Sequence, residues 1–278
     1  MKKMLALLLA VLMIVGMTAC ASKAKTDSDV AYVKDKGTLI VGITDFAPMD
    51  YKDDKGEWIG FDADMAKAFA KTLGVDVEFV EIDWDNKILE LDGKAVDCIW
   101  NGMTLTEPVL AAMECSVPYM NNAQVVVVPA DKADAYQTVE SLAELSFAAE
   151  AGSAGEAELA KLNLNCTPVA TQADALMEVA AGTSDAAVID ALMAAAMIGE
   201  GTSYANLTYT IGLNSEEYGV GFRKGSDLAA ELNAFLLKAY EDGSLLKIAE
   251  TYDVQVALID QTAAQAAPAE EAAEAAAE

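Results

Sequence analysis

The chain has 278 residues, 54 % of them hydrophobic, with 45 acidic and 18 basic side chains and a formal net charge of −27. Such acidity argues against nucleic acid as a partner and favours solubility. The absence of His removes His-based catalytic triads and the commonest metal sites, and the four Cys show no CxxC spacing, so neither a zinc site nor a disulfide framework is indicated and no metal or cofactor is expected.

Residues 1–19 begin Met1-Lys2-Lys3, continue through an apolar run over 4–15 and end in small residues, which is the order of an export signal. The run is too short to span a bilayer. Met17-Thr18-Ala19-Cys20 resembles the lipobox of bacterial lipoproteins, which implies cleavage before Cys20 and lipid attachment to it. An ordinary signal peptide with Cys20 incidental is the alternative, and both readings export the protein. Residues 20–32 read as the lipidated Cys and a small, polar tether. At the other end, residues 259–278 read as a tail: from Gln261 onward the chain is nearly all Ala, Glu and Gln, a low-complexity run placed outside the fold. The roughly 225 residues between suit two small domains better than one.

Within them β-type runs alternate with helical ones. Residues 38–43 form an apolar run bounded by glycines, 75–79 alternate with period two, and 96–100 and 124–128 follow as further strands. Phe61, Met65, Phe69 and Leu73 recur every four residues before Gly74, predicting an amphipathic helix with a glycine stop. Residues 146–149 precede a Gly-Ser loop and a helix, Thr171 caps a helix ending at Gly182, and 186–190 form another strand. Ser226 caps a last helix that carries Leu228, Leu232, Phe235, Leu236 and Ala239 and stops at Gly243. Alternating β and α segments predict an α/β fold with largely parallel sheets. Cys98, Cys115 and Cys166 read as small buried apolar residues, with a Cys98–Cys115 disulfide left open.

A series of motifs then stands out in order. It runs through Val41-Gly42-Ile43-Thr44-Asp45-Phe46-Ala47-Pro48-Met49-Asp50-Tyr51, Gly60-Phe61-Asp62-Ala63-Asp64, Ile82-Asp83-Trp84, Val96-Asp97, Asn101-Gly102-Met103-Thr104-Leu105-Thr106, Ala151-Gly152-Ser153 and Ser184-Asp185-Ala186-Ala187-Val188-Ile189-Asp190. Together these resemble the family 3 solute-binding proteins, the amino-acid receptors of ABC importers. The resemblance implies a two-lobed, type II periplasmic-binding-protein-like fold with two crossing strands. Lobe 1 is expected over 33–127 plus 217–258 and lobe 2 over 128–216, with crossings near 126–129 and 217–220. It also implies an extracytoplasmic receptor, lipid-anchored through Cys20 and monomeric, that delivers an amino acid or related amine to a membrane permease without catalysis. A dehydratase-like cleft enzyme and a ligand-sensing module are the alternatives.

The same resemblance assigns binding roles. Phe46 and Trp84 become the aromatic walls of the cleft, able to sandwich an aliphatic stem or face an ammonium; each is otherwise a core aromatic, which is also the reading for Trp100. Gly102 and Thr104 are placed in a turn after the strand ending near Asn101, where main chain and hydroxyl hold the solute's α-groups. Ser153 and Ala154 open a helix whose free amides and dipole suit a carboxylate. Asp190 receives an ammonium, or else caps the next helix. Asp62, Asp64 and Asp185 read as structural. One departure matters: where members that bind α-amino acids carry an Arg five residues beyond the Thr, this chain has Val109. Its single Arg, Arg223, sits in a Phe-Arg-Lys-Gly turn and reads as surface. Val cannot replace a guanidinium, so either N–H groups and hydroxyls alone hold the carboxylate or the solute lacks it. With Asp45, Asp50, Glu107, Asp190 and Glu217 as acidic positions that could line the cleft, the expectation tilts toward amine-bearing or cationic solutes.

Overall fold

The computed structural model describes residues 28–266; the export signal, Cys20 and residues 267–278 lie outside the described residues. Helix α1 (Asp29–Lys36) leads into β1 (Thr38–Ile43), the short hairpin β2 (Tyr51–Lys52) and β3 (Trp58–Ile59), α2 (Phe61–Leu73), β4 (Asp76–Glu81), α3 (Lys87–Asp92) and β5 (Cys98–Thr104). Helix α4 (Glu107–Ala112), β6 (Met113–Cys115) and β7 (Met120–Asn122) follow. Then come β8 (Gln124–Pro129), β9 (Phe147–Glu150), α5 (Ala154–Lys161), β10 (Cys166–Val169), α6 (Gln172–Ala181), β11 (Ala186–Asp190), α7 (Ala191–Met197) and β12 (Leu207–Gly212). The chain returns through β13 (Glu216–Arg223), α8 (Leu228–Glu241) and α9 (Ser244–Thr251).

These elements make two α/β lobes. One sheet runs β4-β1-β5-β13-β6, with β7 also on β13; the other runs β10-β9-β11-β8-β12. In the first, β1 is parallel to β4 and β5 while β13 is antiparallel to β5. In the second, β9, β10 and β11 are mutually parallel and β8 is antiparallel to β11. The expected crossings shift by a few residues: β8 already belongs to the second sheet from Gln124 and β13 to the first from Glu216. The chain therefore passes between lobes at Ala123 and again between Gly212 and Glu216, and residues 124–127 move from lobe 1 to lobe 2.

The four-residue apolar spacing in α2 does what it predicts. Phe61, Met65, Phe69 and Leu73 are all buried, and Gly74 stops the helix at φ 75° with its amide on the carbonyls of Ala70 and Lys71. Each such side chain stabilises the fold by roughly 1.5–3 kcal/mol. Lobe 2 is built on Val126, Val128, Leu142, Phe147, Leu159 and Val188. Trp100 is core, against Phe69. The three cysteines among the described residues are free, Cys98 buried and Cys115 and Cys166 half-buried.

Two expectations fail here. Arg223 is buried, not surface: its Nε lies 3.0 Å from Asp29, its Nη2 3.4 Å from Asp97, and its Nη1 donates to the carbonyl of Val96 at 2.8 Å. It is a structural cation of lobe 1, and the acids that bury it lie far from it in sequence. The tail also starts later than its composition suggests. Gln261 is fully buried, with Nε2 donating to the carbonyls of Pro118 and Ile259 at 3.0 and 3.1 Å, and Gln265 Nε2 donates to the carbonyl of Asn233 at 2.6 Å. Residues 261–266 are helical and packed on lobe 1.

Candidate functional site

Between the lobes lies a cleft of about 1400 Å³. Its walls are the carboxyl ends of the parallel strands, where open α/β sheets leave strand-end loops free to shape a site. Phe46 follows β1, Trp84 follows β4, Gly102 and Thr104 end β5, Ser153 and Ala154 follow β9, and Asp190 ends β11. All seven line the one cleft. Gly102 and Thr104, however, belong to strand β5 and not to a turn. Pairing of Thr104 with Tyr218 and Met103 with Gly219 carries the strand to Thr104, past Asn101.

Gly102 is needed for the aromatic wall. Its φ is +53°, and a Cβ there would meet Phe46 Cε1 at 2.4 Å. Its amide is already spent, donating to Asp62 Oδ2 at 2.7 Å, and Asp62 also accepts from Tyr119 Oη at 2.8 Å. Burial pushes Asp62 up to about 7. Gly102→Ala is expected to cost about 2–4 kcal/mol, from the left-handed backbone and the displaced Phe46 ring together, read as a lower urea midpoint at unchanged slope.

Asp190 is the centre of the polar network. Although it occupies the N-cap position of α7, its side chain makes no capping bond. Its Oδ1 accepts from Asn122, from Gln124 Nε2 at 2.9 Å and from Tyr218 Oη at 2.8 Å, and its Oδ2 accepts from Gln172. Glu216 shares these amides: Oε1 accepts from Asn122 at 2.7 Å, Gln124 at 2.8 Å and Thr104 Oγ1 at 3.0 Å, and Oε2 from Asn214 at 2.8 Å. Every partner is a neutral donor. Burial first, and then the neighbouring Glu216, push Asp190 up to about 7. Among the described residues no cation pairs with either acid. Asn122, Gln124, Asn214 and Glu216 flank or form the crossing segments, and sequence reasoning passed over all four.

Three further cleft residues were also missed. Glu150 ends β9 with Oε1 buried and unpartnered, and burial together with Asp190 pushes it up to about 8. Gln172 opens α6 and reaches Asp190. Lys87, on the first turn of α3, donates to the carbonyl of Gly152 across the cleft at 2.9 Å and lies 4.8 Å from the Trp84 ring centre. The lobes touch there: Gly152, at φ +70°, would with a Cβ meet Asp85 Cα at 2.8 Å. Of the acids expected at the cleft, Glu107, Asp190 and Glu217 line it, but Asp45 and Asp50 do not. Asp50 is fully buried beneath it, accepting from Asn101 at 2.8 Å, because the chain turns inward after β1. Val109 lines the cleft from the apolar cluster that also holds Trp84. Asp185 is structural, bound to Ser146. Among the described residues no group of His, Cys, Asp and Glu is placed to hold a metal, and no helix is long and apolar enough to cross a membrane.

The chain is 28 % identical to a protein named as a probable histidine-binding protein of Neisseria gonorrhoeae, covering 85 % of this chain and 90 % of that one. It is also 28 % identical to the arginine-binding extracellular protein ArtP of Bacillus subtilis, over 89 % and 96 %. A cyclohexadienyl dehydratase of Pseudomonas aeruginosa matches at 24 % over 64 % of this chain. The fold is the two-lobed, type II periplasmic-binding-protein architecture: the crystal structure of the P235GK mutant of ArgBP from T. maritima superposes with a TM-score of 0.76 at 32 % identity, covering 81 % of this chain and 98 % of that one. Residues 39–255 match the pattern of the bacterial extracellular solute-binding proteins, family 3, and the chain belongs to that family.

Proposed function

We propose that the protein is the receptor of an ABC importer, capturing an α-amino acid or closely related amine with a net positive charge and passing it to a membrane permease. The observation that carries this reading is the Asp190–Glu216 pair, two buried acids supplied only with neutral donors and lining the same cleft as Phe46 and Trp84. Seven acidic side chains and two lysines line the cleft among the described residues, so its field favours a cation. A relative named for arginine points the same way. Closure of the lobes over the solute is a hinge motion about the two crossings, biased by contacts with both sides. In this reading the protein acts as a monomer, held to the cell membrane by lipid on Cys20.

The test is a thermal-shift screen of the mature chain against amino acids, their decarboxylated amines, polyamines and dipeptides, since a solute that binds only the folded state raises its stability. Basic α-amino acids are expected to give the largest shifts. A panel in which only anionic solutes shift the protein sinks the cationic reading. A second reading, a dehydratase-like enzyme, draws on the cleft acids Glu150 and Asp190, whose raised protonation suits a proton donor. Chromatography of solute recovered after long incubation separates the two: a receptor returns it unchanged.

A further inference from the structure

The cleft contains a buried ammonium whose bonding is incomplete. Lys87 is 8 % exposed, and its Nζ donates to the carbonyls of Trp84 at 3.1 Å and Gly152 at 2.9 Å while lying over the Trp84 ring. An ammonium has three donors, and among the described residues the third finds no partner and no carboxylate pairs with it. Asp85, Glu150 and Glu156 are its acidic neighbours. Glu156 Oε2 is already accepting from the Gly152 amide at 2.8 Å, and Glu150, pushed up to about 8, is largely uncharged at neutral pH. Burial lowers the pKa of Lys87 against the pull of these three acids. A desolvated cation in this state is costly unless an anion reaches it.

The turn it reaches points to the same ligand. Ser153 Oγ accepts from the Glu156 amide at 3.1 Å, and the amides of Ala154 and Gly155, at the start of the eight-residue helix α5, have no partner among the described residues. The cation from one lobe and the Ala154 amide from the other line the same cleft beside the contact between Lys87 and Gly152. Val109 belongs to the apolar cluster of the Trp84 ring on which Lys87 rests. We infer that Lys87, from lobe 1, is the cationic partner of the solute's carboxylate, so that the solute is an amino acid and not a simple amine. Asp190 and Glu216 then take an ammonium of the solute, so that its carboxylate and that ammonium are read by opposite charges at two places in one cleft. The inference rests on the receptor reading and adds to it the requirement for a carboxylate.

The experiment is calorimetric titration of the mature chain with matched pairs that differ only in the carboxylate: L-arginine and agmatine, L-lysine and cadaverine. The wild type is expected to prefer the amino acid by about 30-fold, the range of one charge-assisted contact. In Lys87→Met the amino acid should weaken by about that factor while the amine changes less than about threefold, so the preference collapses; Lys87→Arg should restore most of it. The melting temperature of solute-free Lys87→Met reports that it is folded. An unchanged preference in a folded Lys87→Met overturns the inference and leaves the receptor reading standing, as does a wild type that binds amines as tightly as amino acids. A wild type that binds none of the four overturns the cationic amino-acid reading and the inference with it.

Discussion

Asp190→Asn is expected to weaken solute binding by about 30-fold or more, because removing one partner of a desolvated charge pair costs roughly 2–5 kcal/mol. The substitution is nearly isosteric, so the aromatic walls stay in place and the loss falls on recognition. It removes the charge that faces the solute's ammonium and sets an amide against the donors of Asn122, Gln124, Gln172 and Tyr218. Calorimetric titration of the variant, beside circular dichroism to show that it folds, checks the expectation. A loss under about threefold would mean that Glu216 alone carries the ammonium contact, since Glu216 accepts from the same two amides.

Acidity is expected to act on the empty and the filled protein in opposite directions. Asp62 and Asp190 are pushed up to about 7 and Glu150 to about 8, in each case chiefly by burial, whereas in the unfolded chain they ionise near 4. The folded state therefore holds more protons than the unfolded one between pH 4 and 8. The stability these groups contribute is complete below about pH 4 and is lost as pH rises through 7 and 8. For a chain of this size the melting temperature of the solute-free protein should fall by about 10 °C from pH 5 to pH 8, corresponding to a few kcal/mol. A cationic solute reverses the trend, because it needs the carboxylates charged. Its affinity should rise about tenfold from pH 6 to pH 8, the change for one proton released with a pKa in that interval. Titrations in buffers of different ionisation enthalpy would register that proton. A melting temperature constant over the interval would mean that Glu150 and Asp190 are already ionised in the empty cleft.

How much of the site was legible followed from where its parts lie along the chain. Phe46, Trp84, Ser153 and Asp190 each follow or end a strand that is plain from local pattern, so their place at the sheet edge could be read from sequence. Gly102 and Thr104 could be placed at the cleft but not in a strand, because the partner that extends β5 is β13, more than a hundred residues later. Arg223 was misread for the same reason: Asp29 and Asp97 come to it from other parts of lobe 1. Asn122, Gln124, Gln172, Asn214 and Glu216 come from three separate stretches, and each alone is an ordinary polar residue at an element boundary. Lys87 did leave a signal. It sits three residues after Trp84 and four before Leu91, on the buried side of a short helix, a position where a lysine without a purpose is out of place.

In the proposed reading, Asn122, Gln124, Asn214 and Glu216 hold the ammonium end of the site within two residues of the points where the chain changes lobe. The grip is thus at the fulcrum of the jaws, where the lever arm is shortest. Glu107 and Lys161 line the cleft from α4 and α5, one in each lobe, and a closing rotation about the crossings moves each group in proportion to its distance from them. Recognition and gearing share the same side chains, so substitutions in this quartet alter how far the jaws travel along with how tightly they hold. Bulk added to a solute on the mouth side, far from the fulcrum, works against the longest arm and props the jaws widest.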